Sequence, residues 1–463
     1  MPTITHSFSI ENLTPKGYPV YLKDHILSHH IPERDMENAL KQAINGFWQY
    51  NPQSGATLGT LLYTFLDGTN GTLSSILTHA QTQGSEVNLR ITLPFSLTPL
   101  PFECLHDKKQ FLLLSGYPKV HLMYTVTERN TYAHLQPSQR SLKILFMACC
   151  PLSLADNKVL NFEKEEEMIF SATEKYPVDI ITEDSGSLTG LYERLYEEGR
   201  GGFDILHITG HATLDPDKGP LFFMETETGE EAKVTPSELW EKLKEFTPKI
   251  LFLSGCRTGE SGDVKGKESF AFQMVRYGVP VVLSWGLSVE DKAATRLTAK
   301  LYEELAKGIP LEQAIFWARK AVEDTYNPWP LLRIFTDGSP TDKPVINKRG
   351  ITHRSQRKLT FTYLKNTQMK VLTAGFVGRR RQIQQGIKAL RGETEKYGVL
   401  ISGTAGLGKS CLAGKLIERC KKHALCVIHG ELMASHIITR LENLFEEKRK
   451  PKWTALLKAD KPF

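Results

Sequence analysis

The sequence predicts an α/β fold: a mostly parallel central sheet flanked by helices, followed by a second, partial α/β unit. Three observations carry this. From Leu142 to Asp324, short apolar runs alternate with longer amphipathic stretches. Two of the apolar runs end on a glycine followed by a reactive side chain, His211 in one and Cys256 in the other. Nearer the C-terminus, a glycine-rich turn from Gly403 to Gly408 joins an apolar run to a helical stretch.

The elements follow in order. The first 140 residues hold short apolar runs and turn signals. NLRITLPFSLTPLPFECL, from Asn88 to Leu105, alternates and is broken by Pro94, Pro99 and Pro101, which predicts strands and loops after a helix or two and no chemistry of its own. KILFMACC (Lys143 to Cys150) reads as a strand buried on both faces. A helix is expected over Phe162 to Tyr176, a strand over Val178 to Asp184 and a helix over Ser187 to Gly199. FDILHITGHA supplies a third strand, KILFLSGC a fourth and PVVLSW (Pro280 to Trp285) a fifth. Helices over Asp291 to Gly308 and Leu311 to Asp324 close the unit. Asp337 to Gln356 is polar, with proline, glycine and basic residues, and reads as a linker. These boundaries give an accessory region at 1–86, a main domain at 87–340, a basic linker at 341–370 and an incomplete second unit at 371–463.

Composition excludes several classes. At 463 residues, 40% hydrophobic and 24% charged, the chain is that of a folded protein. It has no apolar run long enough for a membrane helix, and MPTITHSFSI has no signal-peptide pattern. Seven scattered cysteines predict reduced thiols and a cytoplasmic location. The net charge of +6 conceals two halves. From Thr341 onward there are 26 Lys and Arg against 9 Asp and Glu, and before it 32 against 43. Such asymmetry predicts different partners for the two halves, the basic end meeting nucleotide phosphates, nucleic acid or the acidic half. No recognition module accompanies the basic residues between Arg349 and Arg381, so a solvated linker is the expectation and nucleic acid is not an expected partner.

His211 and Cys256 lie 45 residues apart, room for one crossover between neighbouring parallel strands. On adjacent strands, imidazole and thiol would emerge side by side, as a Cys–His nucleophilic pair requires. Gly210 and Gly255 would let backbone N–H groups approach an oxyanion, with one candidate donor at Cys256 and a second from an expected turn around His211. Spacing alone leaves open a buried structural thiol and a satisfied histidine, both common at strand ends. His207 precedes His211 by four residues, but in a strand such a pair does not converge on a metal; a core histidine, and no metal site, is expected. Cys104, Cys149 and Cys150 read as buried structural thiols. The acidic cluster Glu163, Glu165, Glu166 and Glu167 reads as a first turn favoured by the helix dipole.

These segments together resemble the CHAT family of caspase-like cysteine peptidases, the clan CD relatives of caspases and separase. HITGHA resembles its H-x-x-G-H-G histidine motif, with Ala212 in place of the second glycine; an alanine keeps the backbone N–H. LSGCRTGE resembles its L-S-A-C-x-T-G nucleophile motif, LPFECL its L-P-W-E-x-L, and PVVLSWGLSVEDKAATRLTAKLYEELAKGIPLEQAIFWAR its closing region. The resemblance implies a caspase-like fold, His211 and Cys256 as catalytic residues, and an oxyanion hole near Gly210, Ala212 and Gly255. It also implies Asp291 as an S1 carboxylate for a basic P1 side chain, although Asp291 equally suits the N-cap of the helix it opens.

GTAGLGKS fits G-x-x-x-x-G-K-[ST] with Gly403, Gly408, Lys409 and Ser410, between an expected strand (Val399 to Ser402) and an expected helix (Cys411 to Arg419). Such a P-loop would take ATP on its N–H groups and Lys409, and Mg²⁺ on Ser410. FVGRRRQIQQGIKAL resembles the helix that precedes the P-loop in AAA-type and NACHT-like ATPases, with Gln382 or Gln385 where those carry glutamate. Only 53 residues follow Ser410, with no Walker B strand, so hydrolysis is not expected, and the sequence reads as a fragment or a shortened protein. The expected function is therefore a cysteine endopeptidase needing no cofactor for proteolysis. By family context it would cleave and activate a partner protein, such as a gasdermin-like effector, in bacterial defence or cell death, under a trigger or sensor. The alternative is a non-catalytic caspase-like scaffold in a nucleotide-switched signalling protein.

Overall fold

The computed structural model describes residues 2–22, 26–126, 136–153, 162–255, 268–287, 289, 291–326, 329–347, 379–396 and 398–420. The chain forms two compact units, Met1–Ser355 and Gln356–Phe463.

The first unit opens with strands β1 (Thr3–Ile10), β2 (Tyr18–Leu22) and β3 (Ile26–Ile31), then helices α1 (Glu33–Asn45), α2 (Pro52–Asp67) and α3 (Thr72–Gln83). Strands β4 (Glu86–Thr92), β5 (Val120–Thr125) and β6 (Leu142–Ala148) follow. Next come α4 (Phe162–Thr173), β7 (Val178–Glu183), α5 (Leu188–Glu198), β8 (Ile205–Asp215), β9 (Gly219–Glu225) and β10 (Glu231–Val234). The unit closes with α6 (Pro236–Leu243), β11 (Ile250–Gly255), α7 (Phe270–Tyr277), β12 (Val281–Trp285), α8 (Asp291–Ala306), α9 (Leu311–Lys320) and β13 (Leu332–Thr336).

The strands form one sheet. Its centre, β7-β6-β8-β11-β12, is parallel throughout. β13 then pairs antiparallel to β12, and β5, β4 and β1 run parallel to β13; β2 and β3 finish that edge as antiparallel strands. Every residue of β11 and β12 is buried, and all but one of β6, because helices cover both faces and no alternation is needed. The crossover β6-α4-β7 steps outward and β7-α5-β8 steps back, so right-handed connections put α4 and α5 on opposite faces. α4 packs on α8 and α8 on α9; α5 packs on α6 and α6 on α7.

Local signals set the helix starts. Ser187 caps α5, Ser269 caps α7, and Thr235 with Glu238 closes a capping box on α6. The N-terminal helices are packed into the same unit through two small residues of α2. A Cβ on Gly55 would stand 1.6 Å from the Tyr326 hydroxyl, and one on Gly59 1.7 Å from the Cys104 carbonyl oxygen. The stretch read as the start of a linker is packed too. Thr341, Val345 and Ile346 are buried, and Thr341 donates to the buried Glu312 carboxylate. Apolar Val345 and Ile346 within a polar run are what draw it in.

In the second unit, α10 (Arg380–Leu390) and α11 (Lys409–Arg419) pack through Ile383, Ile387, Leu412 and Leu416. The strand expected over Val399 to Ser402 is absent: those residues are irregular, and Leu400 is 92% exposed. A strand needs a neighbour to pair with, and among the described residues this unit has none.

Candidate active site

The site is set by β8, the longest strand, which changes partners halfway along. Its first half runs between β6 and β11. The β11 register ends on the pair Gly255 and Gly210. From His211 to Asp215 the same strand continues as an antiparallel ladder with β9, His211 opposite Phe223. The expected turn around His211 is thus a continuous strand, held extended by a partner that arrives later in the chain. His211 and Ala212 are half-buried. Cys256 follows Gly255 directly and lies outside the described residues.

Alternation along the two strands stacks two rows on one sheet face below the site. The row nearest it pairs Thr209 with Ser254; the Thr209 hydroxyl donates to the Ser254 carbonyl at 3.3 Å, and Trp285 Nε1 donates to the Ser254 hydroxyl at 3.2 Å. The row beneath pairs His207 with Phe252, their rings stacked at 4.8 Å, with Phe146 edge-on at 5.0 Å and Tyr302 at 5.7 Å. His207 is fully buried, and burial pushes its imidazole down to about 3. Its Nε2 lies 3.5 Å from Glu165 Oε1, a contact that favours the protonated ring, but a ring walled by aromatic side chains loses more from dehydration than one carboxylate returns. Among the described residues no group of three His, Cys, Asp or Glu side chains is arranged to hold a metal ion.

The helix dipole does not account for the whole acidic cluster of α4. Glu165 and Glu166 are buried, one against His207 and the other accepting from the Thr182 hydroxyl at 2.6 Å. Which glutamates face inward depends on the angle at which α4 crosses the sheet, and the cluster itself carries no sign of it.

Gly210 is glycine for reasons of space as much as chemistry. A Cβ there would lie 2.9 Å from the Phe222 ring and 3.1 Å from both the Cβ and the carbonyl oxygen of Cys149. Cys149 and Cys150 are buried. The Cys149 thiol donates to the Gly186 carbonyl at 3.7 Å, and the Cys150 N–H to the Glu225 carboxylate at 2.5 Å. The Glu225 N–H in turn donates to Gly186 at 2.8 Å. Glu225, which sequence reasoning passed over, therefore ties β9 to the ends of β6 and β7 around Gly210. Cys104 is buried, and burial pushes its thiol far above the ordinary range.

Asp291 is the first residue of α8, six residues after Trp285 at the end of β12. Beneath that exit lies a polar cluster also missed from sequence. Buried Arg333 of β13, opposite Ser284, donates to the carbonyls of Thr98 at 2.7 Å, Pro99 at 3.2 Å and Leu100 at 3.4 Å. Glu103, of the LPFECL segment, accepts from the Tyr124 hydroxyl at 2.9 Å. Burial raises the Glu103 carboxyl, opposed by Arg333 and Arg319.

In the second unit Gly403, Gly406 and Gly408 have φ of 143°, 84° and 76°, conformations that favour glycine, and α11 opens at Lys409. The Lys409 ammonium donates to the carbonyls of Gly403 and Thr404, each at 2.8 Å.

A mostly parallel sheet with helices on both faces, carrying a histidine one residue beyond a glycine pair shared by adjacent strands, defines a caspase-like α/β domain. The chain belongs to the CHAT-domain family, whose model matches residues 57–344, more than half its length. Among solved structures it is similar to the Saccharomyces cerevisiae separase–securin complex. One structure matches with a TM-score of 0.42 and 10% identity over 72% of this chain and 30% of that one. Another matches with a TM-score of 0.35 and 13% identity over 68% of this chain and 20% of that one. The chain thus spans less than a third of the length of those chains. No curated protein matches it. No helix among the described residues is long and apolar enough to cross a membrane.

Proposed function

We propose that the protein is a cysteine endopeptidase with Cys256 as nucleophile and His211 as its acid–base partner. The observation that carries this is the register pair Gly210–Gly255, since each of the two residues follows one member of that pair by a single peptide bond. The Cys256 thiolate adds to the scissile carbonyl, and N–H groups beside Gly210, Ala212 and Gly255 receive the oxyanion. The C–N bond breaks as His211 delivers a proton to the leaving amine, and water then hydrolyses the thioester. Asp291 receives a basic P1 side chain. The substrate is a partner protein activated by cleavage in a bacterial defence or cell-death pathway, and a trigger releases the activity.

The test is labelling by a peptidyl electrophile with Arg or Lys at P1, set beside one with Asp and read by intact mass. Wild type is expected to react with the basic probe, Cys256→Ala not at all, and Asp291→Ala at least tenfold more slowly. Labelling that persists in Cys256→Ala overturns the assignment. No labelling of wild type by any peptidyl probe, while Cys256 reacts with iodoacetamide, favours the scaffold reading instead.

ATP with Mg²⁺ fits the second unit's loop, where three glycines and the start of an eleven-residue helix gather backbone N–H groups. When bound, the nucleotide supplies the phosphate charge that Lys409 and Ser410 would meet. Lys409 must first give up its two carbonyl partners. Lys409→Ala is expected to weaken binding of a fluorescent ATP analogue at least tenfold, and unchanged binding removes the loop from nucleotide recognition.

A further inference from the structure

The exit of β12 is held by a backbone hydrogen bond and, from below, by the side chain of Arg333. The Gly286 N–H donates to the carbonyl of Leu331, the residue just before β13, at 2.8 Å, which fastens the chain there just beyond Trp285. Arg333, two residues further on in β13, fills the space a side chain at 286 would need: a Cβ on Gly286 would lie 2.9 Å from Arg333 Nε and 3.2 Å from its Cδ. The far side of the same guanidinium spans the carbonyls of Thr98, Pro99 and Leu100. It also lies 5.8 Å from the Tyr124 ring, whose hydroxyl is held by Glu103. Arg333 therefore joins two segments distant in sequence, the Thr98–Leu100 turn and the Gly286 end of β12, through a planar fork with fixed donor directions. A lysine at this place would bring one charge but not the fork.

We infer that Arg333 is a positioning residue for the specificity wall of the active site, setting where the chain leaves β12 at Gly286, from which it leads to the Asp291 end of α8. The inference rests on the peptidase reading, because that reading makes this segment the P1 wall. Arg333 acts through the backbone it supports and does not touch substrate.

The test uses the full chain with Arg333→Gln, Arg333→Lys and Gly286→Ala. The last displaces the guanidinium while keeping its charge. Three readouts are compared with wild type: the labelling-rate ratio of Arg-P1 to Ala-P1 probes, alkylation of Cys256 by iodoacetamide, and hydrogen exchange of the peptide from Trp285 to Ala293. Arg333→Gln and Gly286→Ala are expected to lower the ratio about tenfold, with alkylation unchanged and exchange in that peptide faster. Arg333→Lys recovers only part of the ratio. An unchanged ratio and unchanged exchange in Gly286→Ala overturn the inference, and a loss of ratio matched by an equal loss of alkylation reduces Arg333 to a structural role. If Arg333→Gln does not fold, the other two variants decide. If wild type takes no peptidyl probe, the peptidase reading fails by itself, and the exchange data alone then show whether Arg333 positions this segment.

Discussion

Asp204→Ala is expected to destabilise the first unit by about 3 kcal/mol. Asp204 is fully buried at the start of β8. Its carboxylate accepts from Ser138 Oγ at 2.5 Å, Arg140 Nη1 at 2.6 Å, Lys249 Nζ at 3.0 Å and the Lys143 N–H at 3.1 Å. Its own backbone donates to Lys143 and accepts from Ile250. One residue thus fastens the starting edges of β6, β8 and β11. Alanine leaves a buried N–H and a hydroxyl unmet and removes the partner of two cations. The cost stays near the lower end for a broken buried pair because Arg140 and Lys249 reach water. Asp204→Asn keeps the volume and one acceptor oxygen, so about half the loss is expected. Urea unfolding followed by tryptophan fluorescence measures this, since five of the six tryptophans lie in the first unit. A change below about 1 kcal/mol in Asp204→Ala would mean that the cluster is solvated and contributes only as a surface pair does.

How far the sequence could be read is visible in which residues it misjudged. β6, β11 and β12 were legible because burial on both faces writes itself as an unbroken apolar run. α5 was legible from Ser187, and α11 from the glycines before it. His207 was legible as a core residue because a strand cannot turn it toward His211. β8 was legible as an apolar run to Gly210 and was read no further than Ala212. Beyond Gly210, HATLD offers only Ala212 and Leu214 between polar residues, too little apolar weight to mark a strand, and its strand form is imposed by β9. The inward turn of Glu165 and Glu166, and the burial of Arg319 and Arg333, were not legible, since a charge enters the core only where a particular partner meets it. The strand expected at Val399 failed for the converse reason: its sequence suits a strand, and no described neighbour pairs with it. Of the site, the two strand ends were legible from glycine followed by a reactive side chain, while Glu225, which braces the surroundings of Gly210, and Arg333, which braces the exit of β12, act through contacts far away in sequence.

His207 should make stability fall on acidification in a window of its own. Its folded pKa, near 3, lies below its unfolded value of 6.5. The unfolded chain therefore takes up a proton that the folded chain refuses, and the neutral buried ring contributes fully above pH 6.5 and progressively less below it. The loss expected from this group is about 2 kcal/mol at pH 5 and about 3 kcal/mol at pH 4. Two groups pull the other way. Burial raises the carboxyls of Glu103 and Glu312, so their unfavourable ionisation is relieved as pH falls toward 4.5. Glu86, held down to about 2 by His121 and Lys119, adds its own loss only below 4.5. The raw profile of wild type therefore mixes signs, and the measurement must be a difference. Unfolding free energies of wild type and His207→Phe, which preserves the stack on Phe252, are compared from pH 7 to 4.5. The gap is expected to shift in favour of phenylalanine by about 2 kcal/mol between pH 6.5 and 5. A gap independent of pH in that interval would mean that Glu165 holds the imidazole charged in the fold, and the row beneath the active site would then be an ion pair, not an aromatic stack.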